Sequence, residues 1–228
     1  MLKIFHRFLL ALMIALMPAV AQAKKDEAPP KRVYAPVDYN AANDPDNVLY
    51  LDLSTGQRVT IRLMPDWAPN HVERIKTLTR QGFYDGVIFH RVIDGFMAQT
   101  GDPTGTGMGG SELPDVAQEF NDMPHIRGTV SMARAQSPDS ANSQFFIVFY
   151  PRFSLDRNYT NFGRVIDNML AVDGIARGEP PANPTRIVHA FLGSSPAPAL
   201  PQPAVAPSAV APIAEAIVAD EPADATAP

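Results

Sequence analysis

The stretch FHRVIDGFMAQ, residues 89–99, is the longest specific string in this chain. It continues a β signal that we place at residues 86–92. On a regular strand, successive side chains point to opposite faces of the sheet. His90 would then face away from Arg91, and we assign His90 to the scaffold or to the edge of a groove. Standing alone, Arg91 would be interpreted as one half of a surface ion pair.

Strand and helix patterns flank this string on both sides. Upstream, apolar residues alternate at 49–53 and 59–63 around a Ser-Thr-Gly turn, which predicts a β-hairpin. Pro69 then opens a segment with helical spacing that should end near Gly82. Downstream we predict a second short helix near 168–177 and strands at 128–133, 143–149, 162–165 and 186–192. The pattern indicates a mainly β domain whose antiparallel sheet closes or nearly closes, but it does not distinguish a barrel from a sandwich.

The strand at 143–149 is the most informative, because both of its faces carry apolar residues. Alternation places one set on one face and a second set on the other, namely Phe145, Ile147 and Phe149 against Gln144, Phe146 and Val148. One face can fill a core, while the second offers an amide beside an aromatic ring. A strand buried on both faces of a sandwich stays open as an alternative on this pattern alone.

Two further motifs follow in order along the chain. SMARA at 131–135 precedes NSQFFI at 142–147, and LD at 155–156 precedes FGRV at 162–165. Together with the first string, they resemble the cyclophilin family of peptidyl-prolyl cis/trans isomerases, whose signature is F-H-R-V-x-x-G-F-M-x-Q. The resemblance implies an eight-stranded, closed antiparallel β-barrel capped by two α-helices, with the binding groove on the outside of the barrel.

The reaction of that family explains why an arginine matters. An X-Pro amide rotates slowly because resonance creates a barrier of about 18 to 20 kcal/mol, although its two isomers differ by only ~0.5 to 1 kcal/mol. Stabilising the twisted amide is sufficient, so no covalent step is required. In the twisted state the nitrogen lone pair accepts a hydrogen bond, and a permanently charged guanidinium is a suitable donor. By resemblance, Arg91 is the catalytic residue.

The resemblance also implies an apolar pocket for the proline ring. Its lining residues would be Phe96, Met97, Phe146 and Leu155. Tyr159 stands where the family usually has His and would border the same pocket. Any one of these residues alone would be interpreted as an ordinary core residue.

The polar part of the groove is implied in the same way. Gln99 and Gln144 would hydrogen-bond the substrate backbone, and Ala133 would form a flat wall for the residue before proline. Arg134 stands where many eukaryotic members have Asn. Ser154 stands where many members have Trp, so strong cyclosporin binding is not implied.

Other chemistry finds little support in the sequence. GTGMGG at 105–110 matches G-x-G-x-x-G but leads into more loop instead of a helix, so we do not expect dinucleotide binding. The histidines lack metal-ligand spacing, and no G-x-S-x-G motif presents a serine nucleophile. A formal net charge of -5 without a basic tract argues against nucleic acid as a partner. We expect no metal and no cofactor.

The two ends of the chain differ in composition from its middle. Residues 1–23 combine basic residues, an apolar run and an Ala-Gln-Ala site, which is the layout of a cleavable secretory signal peptide. The run of about 13 residues is shorter than the roughly 20 that a membrane-spanning helix needs, so an anchor is the less favoured alternative. We interpret 24–45 as a flexible segment, 46–193 as the isomerase domain and 194–228 as a disordered Pro- and Ala-rich tail.

These features predict a bacterial protein exported to the periplasm, with full secretion as the alternative. We expect a monomer without a stable membrane anchor that accelerates the folding of exported proteins. Its partners would be proline-containing unfolded or partly folded polypeptides. The main rival is a non-catalytic chaperone module that binds proline-containing segments. A third alternative is a structural or cell-envelope attachment protein, which would require the Pro-rich tail to bind a partner.

Overall fold

Eight β-strands form one antiparallel sheet in the computed structural model, which describes residues 33–200. The strands are β1 (Val48–Leu53), β2 (Arg58–Leu63), β3 (Arg91–Ile93), β4 (Met97–Thr100), β5 (Thr129–Arg134), β6 (Ala141–Val148), β7 (Asn161–Asp167) and β8 (Ile187–Leu192). The helices are α1 (Pro69–Arg80) and α2 (Met169–Asp173). In space the strand order is β3-β4-β6-β5-β7-β2-β1-β8. The predicted mainly β fold with two helices is confirmed.

The sheet curls, but its edge strands do not close it into a barrel. Within residues 33–200, β3 and β8 lie at opposite edges of the sheet and share no ladder. The irregular segment before β3 spans the gap, where Ile88 forms an isolated bridge with Arg186. The expected closed barrel is therefore wrong, and the strand expected over 86–92 begins only at Arg91. The physical reason is that the chain leaves a turn at Gly86, with φ of 80°, and β3 is only three residues long.

The first hairpin and the first helix follow the sequence patterns. β1 and β2 pair in antiparallel register, and Gly56 in the connecting turn has φ of 80°, which glycine adopts without steric cost. Helix α1 begins at Pro69, a position where the missing N–H would have no helical partner. The helix buries Val72, Ile75 and Leu78, as their spacing predicts.

The main core receives one face of β6. Phe145, Ile147 and the following Phe149 are almost completely buried there, together with apolar residues of β1, β2, β7 and α1. The ring of Phe145 packs edge-on against Tyr84 and Phe162, with centroid distances of 5.6 and 6.3 Å. Burial of each large apolar side chain contributes about 1.5 to 3 kcal/mol to folding. This face of the strand is structural.

The other face of β6 belongs to a separate cluster. Phe146 and Val148 pack there with Met97 of β4, a strand that the sequence patterns did not reveal. Five partly buried residues surround them, namely Ile93, Phe96, Ala133, Leu155 and Tyr159. The predicted alternation is confirmed, and the second face is only partly covered.

Arg62 of β2 fixes the chain that precedes β1. Its guanidinium is buried and donates hydrogen bonds of 2.7 to 3.0 Å to the carbonyl oxygens of Asp38, Asn40 and Asp44. These three carbonyls belong to the segment 24–45, which the structure describes from residue 33 onward. Residues 38–44 therefore lie against the sheet.

Several predictions concern residues outside the described range. They are the signal peptide at 1–23, the next segment through residue 32, and the tail after residue 200. Inside that range, neither helix combines the length and the apolarity that crossing a bilayer requires.

Candidate active site

A row of opposite residues crosses four strands beside one edge of the sheet. Arg91 of β3 lies opposite Gln99 of β4. Gln99 lies opposite Phe146 of β6, and Phe146 lies opposite Ser131 of β5. Directly opposite residues in an antiparallel sheet share one face. The sheet therefore brings a guanidinium, an amide and an aromatic ring to the same side.

A cavity of about 400 Å³ opens along this row. Its lining residues are Arg91, Phe96, Met97, Gln99, Ala133, Arg134, Phe146, Leu155 and Tyr159. The rings of Phe146 and Tyr159 meet edge to face, with their centroids 5.6 Å apart. The cavity thus combines an apolar wall with a charged hydrogen-bond donor, which suits a small ring attached to an amide.

The Arg91 side chain is held through one nitrogen. Its Nε–H donates to Glu179 Oε2 at 2.7 Å, and 42% of the side chain is exposed. No other hydrogen bond of this guanidinium is formed with residues 33–200. The two terminal nitrogens are therefore available to a ligand in the cavity.

The two predicted groove amides contact each other. Gln99 Nε2 donates to Gln144 Oε1 at 2.9 Å, and Gln144 Nε2 donates to the carbonyl oxygens of Gly107 and Gly109 at 3.1 and 2.8 Å. Gln144 lines a neighbouring cavity of about 440 Å³ instead of the one beside Arg91. The Gln99 amide therefore lies between the two cavities.

Comparison with known proteins agrees with this geometry. The family model described as cyclophilin type peptidyl-prolyl cis-trans isomerase/CLD matches residues 50–191. The chain belongs to this cyclophilin family. A Brucella suis relative named probable peptidyl-prolyl cis-trans isomerase is 47% identical over 168 residues, covering 67% of this chain and 85% of the relative. The family is one of isomerases, so this cyclophilin is an enzyme of that class.

Solved cyclophilins have the same fold as this chain. Cyclophilin AquaCyp293 from Hirschia baltica matches with a TM-score of 0.62 and 30% identity, over 72% of this chain and 83% of that one. A Cryptosporidium parvum cyclophilin type peptidyl-prolyl cis-trans isomerase, solved in the presence of the dipeptide Ala-Pro, matches with a TM-score of 0.60 and 28% identity. That match covers 65% of this cyclophilin and 99% of the other chain.

The structure brings the predicted site residues of this cyclophilin together. All of them line the cavity beside Arg91 except Gln144, which reaches it only through Gln99. His90 is buried and lines a third cavity on the far side of Arg91. Burial lowers the pKa of His90. Between residues 33 and 200, no three His, Cys, Asp or Glu side chains are grouped in a way that could hold a metal ion.

Sequence reasoning missed Asp102, which organises the glycine-rich loop. Its buried carboxylate accepts backbone N–H groups of Thr104, Thr106, Gly107 and Gly109 at 2.6 to 3.2 Å. Burial alone would raise the pKa of Asp102, but the hydrogen bonds from Thr104, Gly109 and Gly107 outweigh it and lower the pKa to about 2. The loop that holds the Gln144 amide is therefore built around one carboxylate. The available signal was an aspartate two residues before the Thr-Gly-Thr-Gly stretch at 104–107.

A hydrogen-bonded series of Ser131, His125 and Asp156 lies behind Phe146, with Ser131 and His125 buried and Asp156 partly exposed. His125 Nε2 is 2.7 Å from Ser131 Oγ, and His125 Nδ1 is 2.8 Å from Asp156 Oδ1. The sequence motifs did not reveal this arrangement. Ser131 and His125 have no exposed surface, so no substrate reaches the hydroxyl. The His125 ring stacks on Phe146 with a centroid distance of 6.5 Å, and the series thus supports the pocket wall.

The pKa of His125 is lowered. The cause is burial, which outweighs the opposite effect of the Asp156 carboxylate. The neutral ring can donate through Nδ1 to Asp156 and accept the Ser131 hydroxyl at Nε2. Both ring nitrogens then have partners without a buried charge.

Arg134 supports Tyr159 at the other side of the cavity. Its guanidinium lies 4.8 Å from the Tyr159 ring centroid, and it donates to the Asn158 carbonyl oxygen at 3.1 Å. Ser154, which the sequence resemblance aligns with a Trp position, is exposed. Two large side chains, Phe146 and Arg134, therefore contact the Tyr159 ring.

Proposed function

We propose that this cyclophilin isomerises X-Pro bonds in the cavity beside Arg91, with Arg91 as the catalytic residue. The observation that carries the proposal is the cross-strand row of Arg91, Gln99 and Phe146 along one cavity. A charged donor, a backbone-binding amide and an aromatic wall are the three groups that the reaction needs.

In this mechanism the proline ring rests against Phe146, Met97 and Leu155. Gln99 holds the peptide backbone on one side of the bond while the other side turns. As the amide twists, the nitrogen lone pair is no longer delocalised into the carbonyl, and a terminal N–H of Arg91 donates to it. This hydrogen bond exists only in the twisted state, so it lowers the barrier without tightening the ground-state complex. No proton is transferred and no covalent bond is formed.

We propose proline-containing segments of unfolded or partly folded polypeptides as substrates. The dipeptide Ala-Pro accompanied the solved Cryptosporidium parvum relative, which makes Ala-Pro the natural first sequence to test. Ala133, a small partly buried side chain in the cavity wall, leaves room for the residue before proline. The neighbouring cavity at Gln144 would accept residues further along the same peptide.

We also propose that the protein is bacterial, that it is exported, and that it acts as a monomer on exported proteins in the periplasm. The layout of residues 1–23 supports export. The test is the mass and N-terminus of the protein recovered from fractionated cells. Lys24 as the first residue in the periplasmic fraction would support the proposal, and an intact Met1 form in the cytoplasm would contradict it.

Exchange NMR on a short Ala-Pro peptide tests the catalytic proposal. Arg91→Ala should slow isomerisation about tenfold or more, about 1.4 kcal/mol of transition-state stabilisation. Arg127→Ala is the matched control, because Arg127 is similarly exposed at 40% and is also ion-paired, with Asp173. A loss of rate in the control as large as in Arg91→Ala would contradict the assignment.

The same experiment distinguishes the rival function. A non-catalytic chaperone module would bind the peptide and shift its resonances without accelerating exchange between the two isomers. A folded full chain that binds but does not catalyse would favour that rival.

A further inference from the structure

The backbone places Glu179 directly across from Arg91. Val92 N–H donates to the Gly178 carbonyl at 2.8 Å, and Gly178 N–H donates to the Val92 carbonyl at 2.9 Å. This pair is an isolated antiparallel bridge at the free edge of β3. Residues that flank such a bridge lie opposite each other on one face. The residue after Gly178 therefore faces the residue before Val92, which pairs Glu179 with Arg91.

Gly178 allows the loop to turn tightly at Glu179–Pro181 beside β3. Its φ is 142°, a conformation that residues with a side chain rarely adopt. A Cβ at this position would lie 2.6 Å from Pro181 Cα. The turn that carries Glu179 past β3 therefore requires a glycine at position 178.

The contact between the side chains uses one particular nitrogen. Glu179 Oε2 accepts from Nε of Arg91 at 2.7 Å, and neither terminal nitrogen forms a hydrogen bond with residues 33–200. Glu179 also lines the cavity on the far side of Arg91, together with His90 and Gln99. In the part of the chain that the structure describes, this is the one hydrogen bond that restrains the guanidinium. The carboxylate thus fixes the direction in which the guanidinium fork points.

An ordinary surface ion pair is the competing interpretation. The Arg91 and Glu179 side chains are 42% and 51% exposed, and exposed pairs contribute little to stability. A carboxylate next to Arg91 would also weaken its positive potential toward a ligand. These two effects predict no change in catalysis, or an increase, when Glu179 is removed.

We propose that Glu179 is a positioning residue for Arg91. It holds the guanidinium by Nε so that a terminal N–H is already directed at the twisted amide. The inference rests on the proposed function, because it concerns the same donor. Pre-organisation of a group that acts in the transition state should affect kcat more than KM.

The test measures kcat and KM for an Ala-Pro peptide in three variants of the full chain. Glu179→Ala should lower kcat about fivefold and change KM by less than about twofold. Glu179→Gln keeps an acceptor oxygen and should retain more than about half of kcat. Asp173→Ala is the matched control, because it removes the carboxylate of a comparable exposed pair, with Arg127, outside the cavity. It should leave kcat unchanged.

A second readout does not depend on turnover. The Nε–H resonance of Arg91 should be protected from exchange with water in the parent and lose that protection in Glu179→Ala. Loss of protection together with lower kcat would support the proposal. Unchanged or increased kcat in Glu179→Ala would overturn the proposal, and so would an equal loss in Asp173→Ala.

The two proposals fail in different ways. If the parent chain shows no catalysis, the proposed function fails, and the role of Glu179 fails with it. If the parent catalyses and Arg91→Ala does not, while Glu179→Ala keeps the parental kcat, only the positioning role is overturned.

Discussion

The two faces of strand β6 carry the same kind of side chain but serve different purposes. Phe145 and Phe146 are neighbours, with 0% and 5% of their surface exposed. Phe145 packs among the rings of Tyr84 and Phe162 in the main core. Phe146 meets Tyr159 along an open cavity. Burial alone therefore does not distinguish a structural aromatic residue from a functional one, whereas the residues opposite it across the sheet do.

The two faces are also supported differently. The inner face of β6 is surrounded by apolar side chains of the strands and of α1. Behind the outer face, polar networks maintain the shape, with Asp102 under the glycine loop and His125 against Phe146. Substitutions on the inner face should therefore reduce stability, and substitutions on the outer face should mainly reduce activity.

Phe145→Ala should have the largest effect. Removing a fully buried ring from a packed core costs about 3 to 5 kcal/mol, through lost transfer free energy and the remaining cavity. Urea unfolding monitored by circular dichroism measures the change. The catalytic rate of the fraction that remains folded should be close to that of the parent. A decrease of less than about 1 kcal/mol in the free energy of unfolding would contradict the structural role of this face.

Asp102→Asn should have the second-largest effect on stability. It should lower the free energy of unfolding by about 2 kcal/mol at neutral pH, because the pKa of Asp102 is lowered from 3.8 to about 2. The ionised carboxylate contributes this stability fully above its unfolded pKa and loses it as the pH falls through its folded pKa. The difference between parent and variant in the free energy of unfolding should therefore shrink between about pH 5 and about pH 2. Asp66→Asn, which makes the same substitution at an exposed position, is the control. Equal pH dependence in both variants would contradict the role of the buried carboxylate.

Phe146→Ala tests the outer face directly. The isomerisation rate should fall about tenfold or more, about 1.4 kcal/mol, because the proline ring loses its wall. The loss of stability should be less than about half of that in Phe145→Ala, since the space joins an open cavity that water can enter. Exchange NMR and urea unfolding of the same sample measure both quantities. Catalysis within about threefold of the parent would contradict the assignment of this face.

Arg134→Ala should have the smallest effect. The partly exposed cation–π contact with Tyr159 holds that ring in the cavity wall and contributes about 0.5 to 1 kcal/mol. If this energy is lost when the peptide packs on Tyr159, the affinity for an Ala-Pro peptide should weaken roughly threefold. Titration of each variant with the peptide, followed by NMR, measures this affinity. Arg177→Ala, which removes a similar contact with Phe149 in the main core, should leave peptide affinity unchanged. An affinity in Arg134→Ala equal to that of this control would contradict the role of Arg134.

Local patterns predict much of this fold, because alternation and helical spacing are properties of neighbouring residues. The two faces of β6 and the helix from Pro69 follow from such patterns. Closure of the sheet could not be predicted in this way. It depends on how far β3 extends and on the bridge between Ile88 and Arg186, which pairs residues far apart in the chain.

The same distinction applies to the site. Arg91 and Gln99 occur in one short string, and a tight turn at Gly95 makes them opposite partners, so local sequence identifies both. Glu179 is 88 residues away from Arg91, and only the register at the sheet edge brings it there. His125 meets Asp156 for a similar reason, since a loop folds back behind β5. Contacts between distant segments carry no signature within a single sequence.

The most direct test of the account compares the affinity and the turnover of Arg91→Ala on one Ala-Pro peptide. NMR titration gives Kd, and line shapes at saturating enzyme give the isomerisation rate of the bound peptide. We predict that the bound rate falls about tenfold or more while Kd changes by less than about threefold, because Arg91 acts on the twisted amide. Loss of affinity with an unchanged bound rate would contradict the account and would make Arg91 a ground-state binding residue.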